Sequence, residues 1–382
     1  GDICSLGGTI TTDVNLALPY IGADSIESNT GKLLKTETAQ SQRVNGPVYE
    51  FAGKRLLYSK IRPYLNKLAV VDLRGYCSSD MYPLLPNSAE VQITYLATYM
   101  LSATFNERIR GYYERANIPK INRSQLFEVE IPLPPLAEQH RIVARVDALA
   151  RRVEEARGLR RAAVEEAKAV MNSAVSIAFS KITAEHKPLA ILTSKIGSGS
   201  TPKGGRASYP SSGIPFIRSL NVRMRQFDWD GIAYIHSETH RTMSGTIVMP
   251  NDVLLNITGA SIGRVACAPT DLVEANVNQH VTIIRPLEML EPRYLMYWLS
   301  QPVIQDFIND KQKGATRQGF TKSQIEQFEV PIPPLADQRR IVAYLDGLQA
   351  KVDELRRLQA ATQKELDALM PSILAKAFAG EL

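Results

Sequence analysis

The sequence predicts an α+β chain made by internal duplication: two globular domains separated by two long antiparallel helices that pair as a coiled coil with pseudo-twofold symmetry. Three observations carry this. A proline-rich block at 132–144 returns at 331–343, an offset of 199. Each block opens a long stretch with apolar residues at heptad spacing. Each block also follows a region of short strand-like runs and turns.

The repeat is specific. Pro132-Leu133-Pro134-Pro135-Leu136-Ala137-Glu138-Gln139-His140-Arg141-Ile142-Val143-Ala144 is matched by Pro331-Ile332-Pro333-Pro334-Leu335-Ala336-Asp337-Gln338-Arg339-Arg340-Ile341-Val342-Ala343. Upstream the same register pairs Tyr95-Leu96 with Tyr294-Leu295 and Ser124-Gln125 with Ser323-Gln324. The predicted organisation is therefore a first globular domain over 1–131, a helix region over 132–183, a second globular domain over 184–330 and a second helix region over 331–382.

In the first domain a β-rich run at Arg55–Ser59, an extended segment from Tyr82 to Pro86 and a helix at Tyr95–Ser102 are expected. Their counterparts are Asp252–Asn256, Val281–Pro286 and Tyr294–Ser300. The Pro-Pro pairs then punctuate the helix starts, because proline fixes φ and is tolerated in the first helical turn. In the first helix the seam is expected at Ile142, Val146, Leu149, Val153, Ala156, Ala163, Ala167, Val170 and Ala174. In the second it falls at Ile341, Leu345, Leu348, Val352, Leu355, Leu366, Leu369 and Ile373. A helix from about 137 to 183 is roughly 70 Å long and needs a partner, which the other copy supplies. Arg160 and Gln359 interrupt the two seams at equivalent places. In an antiparallel pair they meet as a polar layer that fixes register; the competing reading is two long side chains reaching solvent.

Composition bounds the function. The 382 residues, 44% hydrophobic and 22% charged, describe a globular chain of two or three domains. No apolar run approaches a membrane span, and no secretion pattern opens the chain. The chain begins at Gly1 without Met, which points to a trimmed start. Three distant cysteines suggest a reducing cytoplasm and provide no metal spacing. A net charge of +6 is a weak sign of a polyanion partner. Local clusters are stronger: between His186 and Phe227 seven Lys and Arg residues stand without an acid. Lys311, Lys313, Arg317 and Lys322 form a second acid-free group. In the first domain Lys54, Arg55, Lys60, Arg62 and Lys67 do the same, with Tyr58 and Tyr64 among them. Such clusters suit phosphate contacts, with Asn, Gln, Ser and Thr nearby to read base edges; a solvated basic face is the competing reading of any one of them.

Catalytic signatures are missing. No Asn-Pro-Pro-Tyr or Asp-Pro-Pro-Tyr occurs, and the glycine-rich stretch Gly197–Gly205 fails the phosphate-loop spacing and contains Pro202. His236 and His240 lack a third ligand at useful spacing, and Asp228 and Asp230 read as a turn. No catalytic residue, no metal site and no cofactor in this chain is expected.

With the duplicated block in view, the chain resembles the DNA-specificity subunit of type I restriction-modification systems. The block at 132–143 and 331–342 carries the likeness. Ser200-Thr201-Pro202, Thr258 to Arg264, Asn278-Gln279-His280 and the Gly314–Phe320 loop support it. One departure is that Gly1-Asp2-Ile3 begins directly, where the family usually has a short preceding segment. The resemblance implies two target-recognition domains, each reading one half of a split asymmetric site in double-stranded DNA, and helices that space them. It implies two methyltransferase subunits that supply S-adenosylmethionine and adenine chemistry, with flipped adenines entering the partner's pocket. Up to two restriction subunits with ATP and Mg can join, in a prokaryotic cytoplasm without a membrane partner. Pseudo-twofold symmetry sets the half-sites about 34 Å apart. Lys60, Arg62, Asn66, Lys67, Arg115 and Lys120 are expected to serve the first half-site. Lys203, Arg206, Arg218, Asn221, Arg223, Arg264, Gln279, Lys313, Arg317 and Gln318 are expected to serve the second. Competing readings are a fused nuclease or methyltransferase, a coiled-coil protein-interaction scaffold without sequence-specific DNA binding, and a specificity subunit of a methylation-only or phage-defence system.

Overall fold

The computed structural model describes residues 1–113, 119–202, 204–313 and 319–382, the side chains of 206–207 and 311–313 excepted. The chain divides into two units, and each takes part of both long helices. The first unit is Gly1–Arg161 with Gln359–Leu382, and the second is Ala162–Leu358. The helices themselves run over Leu136–Ser180 and Leu335–Ala379, 45 residues each, or about 68 Å.

The first unit contains two sheets. One is antiparallel, ordered Cys4–Leu6, Met81–Pro86, Lys54–Ser59, Leu68–Asp72. Its central strand, Lys54–Ser59, is buried from Leu56 through Ser59, because the helix Ile93–Met100 and its neighbours cover one face and the second sheet covers the other. Leu56, Tyr58, Leu84, Leu96, Tyr99 and Phe105 form the core on the helix side. Ile21, Phe51, Leu57, Val71 and Cys77 form it on the sheet side. The alternation of Leu56 and Leu57 between the two cores is the period-two signature of a strand buried on both faces. The second sheet runs Thr9–Thr11, Val48–Phe51, Gly75–Ser78, Pro19–Ile21, Glu37–Thr38, with one parallel pairing, Tyr20 with Tyr76.

The second unit repeats the plan. Its antiparallel sheet is ordered Thr193–Ser198, Val281–Pro286, Val253–Asn256, Val265–Cys267. Its other sheet runs Ala233–Ile235, Ile214–Ile217, Ala275–Val277, Ile247–Val248, again with one parallel pairing, Phe216 with Asn276. The helix Pro292–Leu299 takes the place of Ile93–Met100. The expected strands and helices thus stand where the sequence put them. The short helices at Arg123–Glu128 and Lys322–Glu326 explain why Ser124-Gln125 and Ser323-Gln324 match. Gln125 and Gln324 each close a capping box, with Asn122 and Thr321 as the N-caps.

The join between globular domain and helix is also copied atom by atom. Tyr95 donates to the Pro132 carbonyl at 2.8 Å, and Tyr294 donates to the Pro331 carbonyl at 2.8 Å. Gln139 and Gln338, both fully buried, bind the same backbone groups 199 residues apart.

Inside the first unit the two helices are antiparallel. Arg141 reaches the Leu382 carbonyl, Arg157 pairs with Asp367, and Arg160 bonds Thr362; partner numbers fall as helix numbers rise. Tyr95, Ile142, Val143, Val146, Leu374 and Ala377 pack together there, and Phe378 sets its ring edge-on to Tyr95 and Tyr99. Gly380, with φ of 77°, ends the helix, and Glu381 N–H returns to the Lys376 carbonyl at 2.9 Å, a left-handed C-cap. In the second unit Phe179 occupies the equivalent role, 5.0 Å from the Tyr294 ring. Met171, Ala174, Val175, Leu345 and Val352 belong to its core.

Two seam residues depart from expectation. Val170 is 54% exposed and Leu369 is 44% exposed. The first helix buries Met171, Ala174 and Val175 near these positions, and the second buries Leu366, Leu374 and Ala377. A helix of 3.6 residues per turn drifts from a strict heptad, and here each helix end must also meet a globular domain. Among the seam positions Ile142, Val146, Val153, Leu345 and Val352 are buried, while Leu149, Ile341 and Leu348 are half-buried.

Candidate nucleic-acid interface

Each unit builds a corner from three segments that are far apart in sequence. In the first, the loop after strand Lys54–Ser59 meets the turn before strand Met81–Pro86 and the segment leading to helix Arg123–Glu128. Lys60 N–H bonds the Asp80 carbonyl, Ile121 N–H bonds the Lys60 carbonyl, and Arg62 N–H bonds the Pro119 carbonyl, at 2.9, 2.9 and 2.7 Å. In the second unit Ile257 N–H bonds the His280 carbonyl at 3.0 Å and Phe320 N–H bonds the Ile257 carbonyl at 2.8 Å. Two of the three backbone bonds of the first corner thus recur in the second; the side chains around them differ.

On the first corner Arg62 and Lys120 are exposed. Arg62 holds φ of 48°, a left-handed conformation that costs a non-glycine residue free energy and is kept by its neighbours. Lys60 is committed internally: its ammonium donates to the Ser79 carbonyl at 2.7 Å, lies 3.8 Å from Asp80 and sits over the Tyr82 ring. Lys67 likewise donates to the Ala23 carbonyl at 2.7 Å. Asn66 is buried in the turn, with φ of 46°. Tyr58 lies in the core against Phe105, whereas Tyr64 is 50% exposed and neighbours Tyr113. Arg115 lies outside the described residues.

On the second corner four of the sequence signals converge. Thr201 donates to Gln279 Oε1. Gln279 Nε2 lies 3.1 Å from His280 Nε2, and His280 Nδ1 lies 2.5 Å from Thr258 Oγ1. Asn278 Oδ1 accepts from His280 N–H at 3.1 Å. Gly199 presses against the Val277 and Asn278 carbonyls so closely that a Cβ there would overlap them, so only glycine fits. Arg264 is half-buried on the same loop. Sequence reasoning placed Gln279 among the readers but missed Thr201, Thr258 and His280 as its supports. The run Asn278-Gln279-His280 was the available signal. Lys203, Arg317 and Gln318 lie outside the described residues, as do the side chains of Arg206 and Lys313.

The basic run 218–225 forms a separate hairpin. Asn221 is buried and organises the turn: its Oδ1 accepts from Arg218 N–H, and its Nδ2 donates to the Asp228 and Asp230 carbonyls. Arg218 donates to the Gly231 carbonyl. Arg223, half-exposed, pairs with Asp228 at 3.0 Å. The Asp230 backbone N–H, and then Arg223, hold the Asp228 carboxyl below its ordinary value. Arg225 points inward. Its Nη1 lies 3.1 Å from Asn172 Oδ1 on the first long helix and 3.5 Å from Ser300 Oγ, and burial lowers its pKa. It fastens the hairpin to the helix rather than facing a ligand. His240 bonds Asn276 at 2.5 Å and approaches Glu274 at 3.4 Å. Among the described residues no group of three metal-ligating side chains gathers, and no helix is long and apolar enough to cross a membrane.

Duplicated α+β domains carried on two long helices, each with one equivalent loop corner, define the class. The family model for the type I restriction modification DNA specificity domain matches residues 1–162 and 194–363, and the chain belongs to that family. It is 38% identical over 130 residues to the EcoDI specificity subunit of Escherichia coli, covering 34% of this chain and 29% of that one. It is 26% identical over 310 residues to the EcoBI specificity subunit of the same species, covering 73% and 65%. The chain thus spans less than two thirds of the length of these relatives. A solved structure described as the basis of complex assembly and conformational transition of the type I R-M system has a TM-score of 0.76 at 24% identity. It covers 100% of this chain and 97% of that one. The HsdS subunit of Thermoanaerobacter tengcongensis has a TM-score of 0.57 at 25% identity, covering 98% and 97%.

Proposed function

We propose that the chain is a non-catalytic specificity subunit whose two domains read the two halves of a split, asymmetric site in double-stranded DNA. The observation that carries this reading is the corner built twice on one backbone plan with different side chains. Arg62, Ser79, Asp80 and Lys120 stand on the first, and Thr201, Arg264, Gln279 and His280 on the second. One scaffold used twice gives two equivalent reading positions; different donors and acceptors on it give two different half-sites. Exposed Arg62 and Lys120 suit phosphates, which position a protein without reading sequence.

Methylation partners dock on this chain in the same reading. They supply S-adenosylmethionine and adenine transfer, while restriction partners supply ATP and Mg chemistry. Footprinting on random-sequence duplex DNA with a methylation subunit present tests the proposal. Two protected blocks flanking an unprotected spacer support it, whereas no sequence-dependent protection favours a coiled-coil scaffold. Incubation of the chain alone with labelled S-adenosylmethionine and DNA should transfer no label.

A further inference from the structure

We propose that Gln279 reads an adenine base in the second half-site through a pre-oriented amide edge. This inference rests on the DNA-reading function proposed above and adds the residue, the base and the side chains that aim it.

A glutamine amide has two N–H donors and two acceptor lone pairs. On an exposed residue it usually rotates freely, and fixing it on binding costs conformational entropy. Gln279 is exposed, yet both ends of its amide are held. The Thr201 hydroxyl donates to Oε1. At the other end Nε2 donates to His280 Nε2 at 3.1 Å. That bond requires a lone pair on His280 Nε2, so the imidazole proton resides on Nδ1, where Thr258 Oγ1 accepts it at 2.5 Å. The relay Gln279 to His280 to Thr258 therefore orients the amide, with oxygen toward Thr201 and nitrogen toward His280.

The supports are themselves fixed. His280 N–H is capped by Asn278 Oδ1, and its carbonyl is held by Ile257 N–H. Thr201 follows the close approach of Gly199 to the Val277 carbonyl.

One N–H and one lone pair of Gln279 remain unused by these partners. In the major groove adenine offers N7 as an acceptor and N6–H as a donor, the complement of that pair. Guanine presents two acceptors, N7 and O6, and sets O6 against Oε1. Thymine offers O4 without a donor, and cytosine offers a donor without N7. Adenine alone satisfies both free positions. The corresponding turn in the first unit, Ser78-Ser79-Asp80, has a serine at the position of Gln279, and its carbonyl is taken by Lys60. The first corner therefore lacks this adenine edge.

The test is selection of binding sites from a random-sequence duplex library by the full chain with a methylation subunit present, as wild type and as Gln279→Ala, Gln279→Glu and Thr201→Val. Wild type is expected to enrich a split site with an adenine in the second half. Gln279→Ala should relax that one position, with discrimination falling roughly 5- to 150-fold, and leave the first half-site intact. Gln279→Glu, an acceptor only, should move the preference there to cytosine, whose N4 donates. Thr201→Val should relax the same position less. The new preference of Gln279→Glu shows that the domain still folds. If Gln279→Ala selects the same site with the same discrimination, or relaxes a position that is not adenine, the assignment of Gln279 is overturned. If wild type enriches no sequence, the DNA-reading function itself fails.

Discussion

Gln139 and Gln338 make the same three hydrogen bonds in the two units. Gln139 Oε1 accepts from Gln92 N–H, and its Nε2 donates to the Glu90 and Pro134 carbonyls, at 2.9, 2.7 and 2.9 Å. Gln338 accepts from Glu291 N–H and donates to the Met289 and Pro333 carbonyls, at 2.9, 3.0 and 2.9 Å. Each glutamine staples the start of a long helix to the loop before the helix of its globular domain. Alanine at either position strands buried backbone groups, each worth about 1–3 kcal/mol. Gln139→Ala and Gln338→Ala should each destabilise by about 2–4 kcal/mol, measured by urea unfolding, and by similar amounts.

Arg225 ties its hairpin to Asn172 and Ser300. Arg225→Ala should raise amide hydrogen exchange in residues 222–227, while strands Val253–Asn256 and Val281–Pro286 keep their protection. Unchanged exchange in the hairpin would show that its own turn, built around Asn221, suffices.

The cations of the first corner divide by commitment. Arg62 and Lys120 are exposed, so Arg62→Gln and Lys120→Gln should each flatten the dependence of log affinity on log salt by about one unit. Lys67 is occupied by the Ala23 carbonyl. Lys67→Met should leave the salt slope unchanged and lower stability, which a salt titration and a melting curve separate.

Burial pushes the Cys77 thiol from its ordinary 9.0 up to about 12. A raised folded-state pKa contributes stability that is present below the unfolded value and lost as pH rises above it. The first domain should therefore lose stability above about pH 9, and Cys77→Ser should reduce that dependence. At pH 8 iodoacetamide should leave Cys77 unmodified until urea unfolds the domain.

The duplication, the helix starts and the main strands were legible in sequence because they depend on local spacing and composition: Pro134-Pro135, the β-rich run Arg55–Ser59, and the matched pairs Ser124-Gln125 and Ser323-Gln324. Of the expected seam residues Ile142 and Leu345 are buried, whereas Val170 and Leu369 are exposed, where the buried stripe has turned toward the globular domains. The candidate site was legible only in part. Basic runs name cations but not their partners, so the internal bonds of Lys60, Lys67 and Arg225 could not be seen. Asn66 and Asn221 resemble readers in sequence, but both amides are buried in turns. The supports of Gln279 come from segments up to 78 residues away, and only folding brings them together.

The most direct test of the central claim is adenine methylation mapping across the genome of the cell that encodes the chain, with its gene intact and deleted. Two different short blocks separated by a fixed unread spacer, methylated only when the gene is present, is the predicted result. Methylation that persists without the gene, or a gene-dependent motif that is contiguous or palindromic, would contradict it.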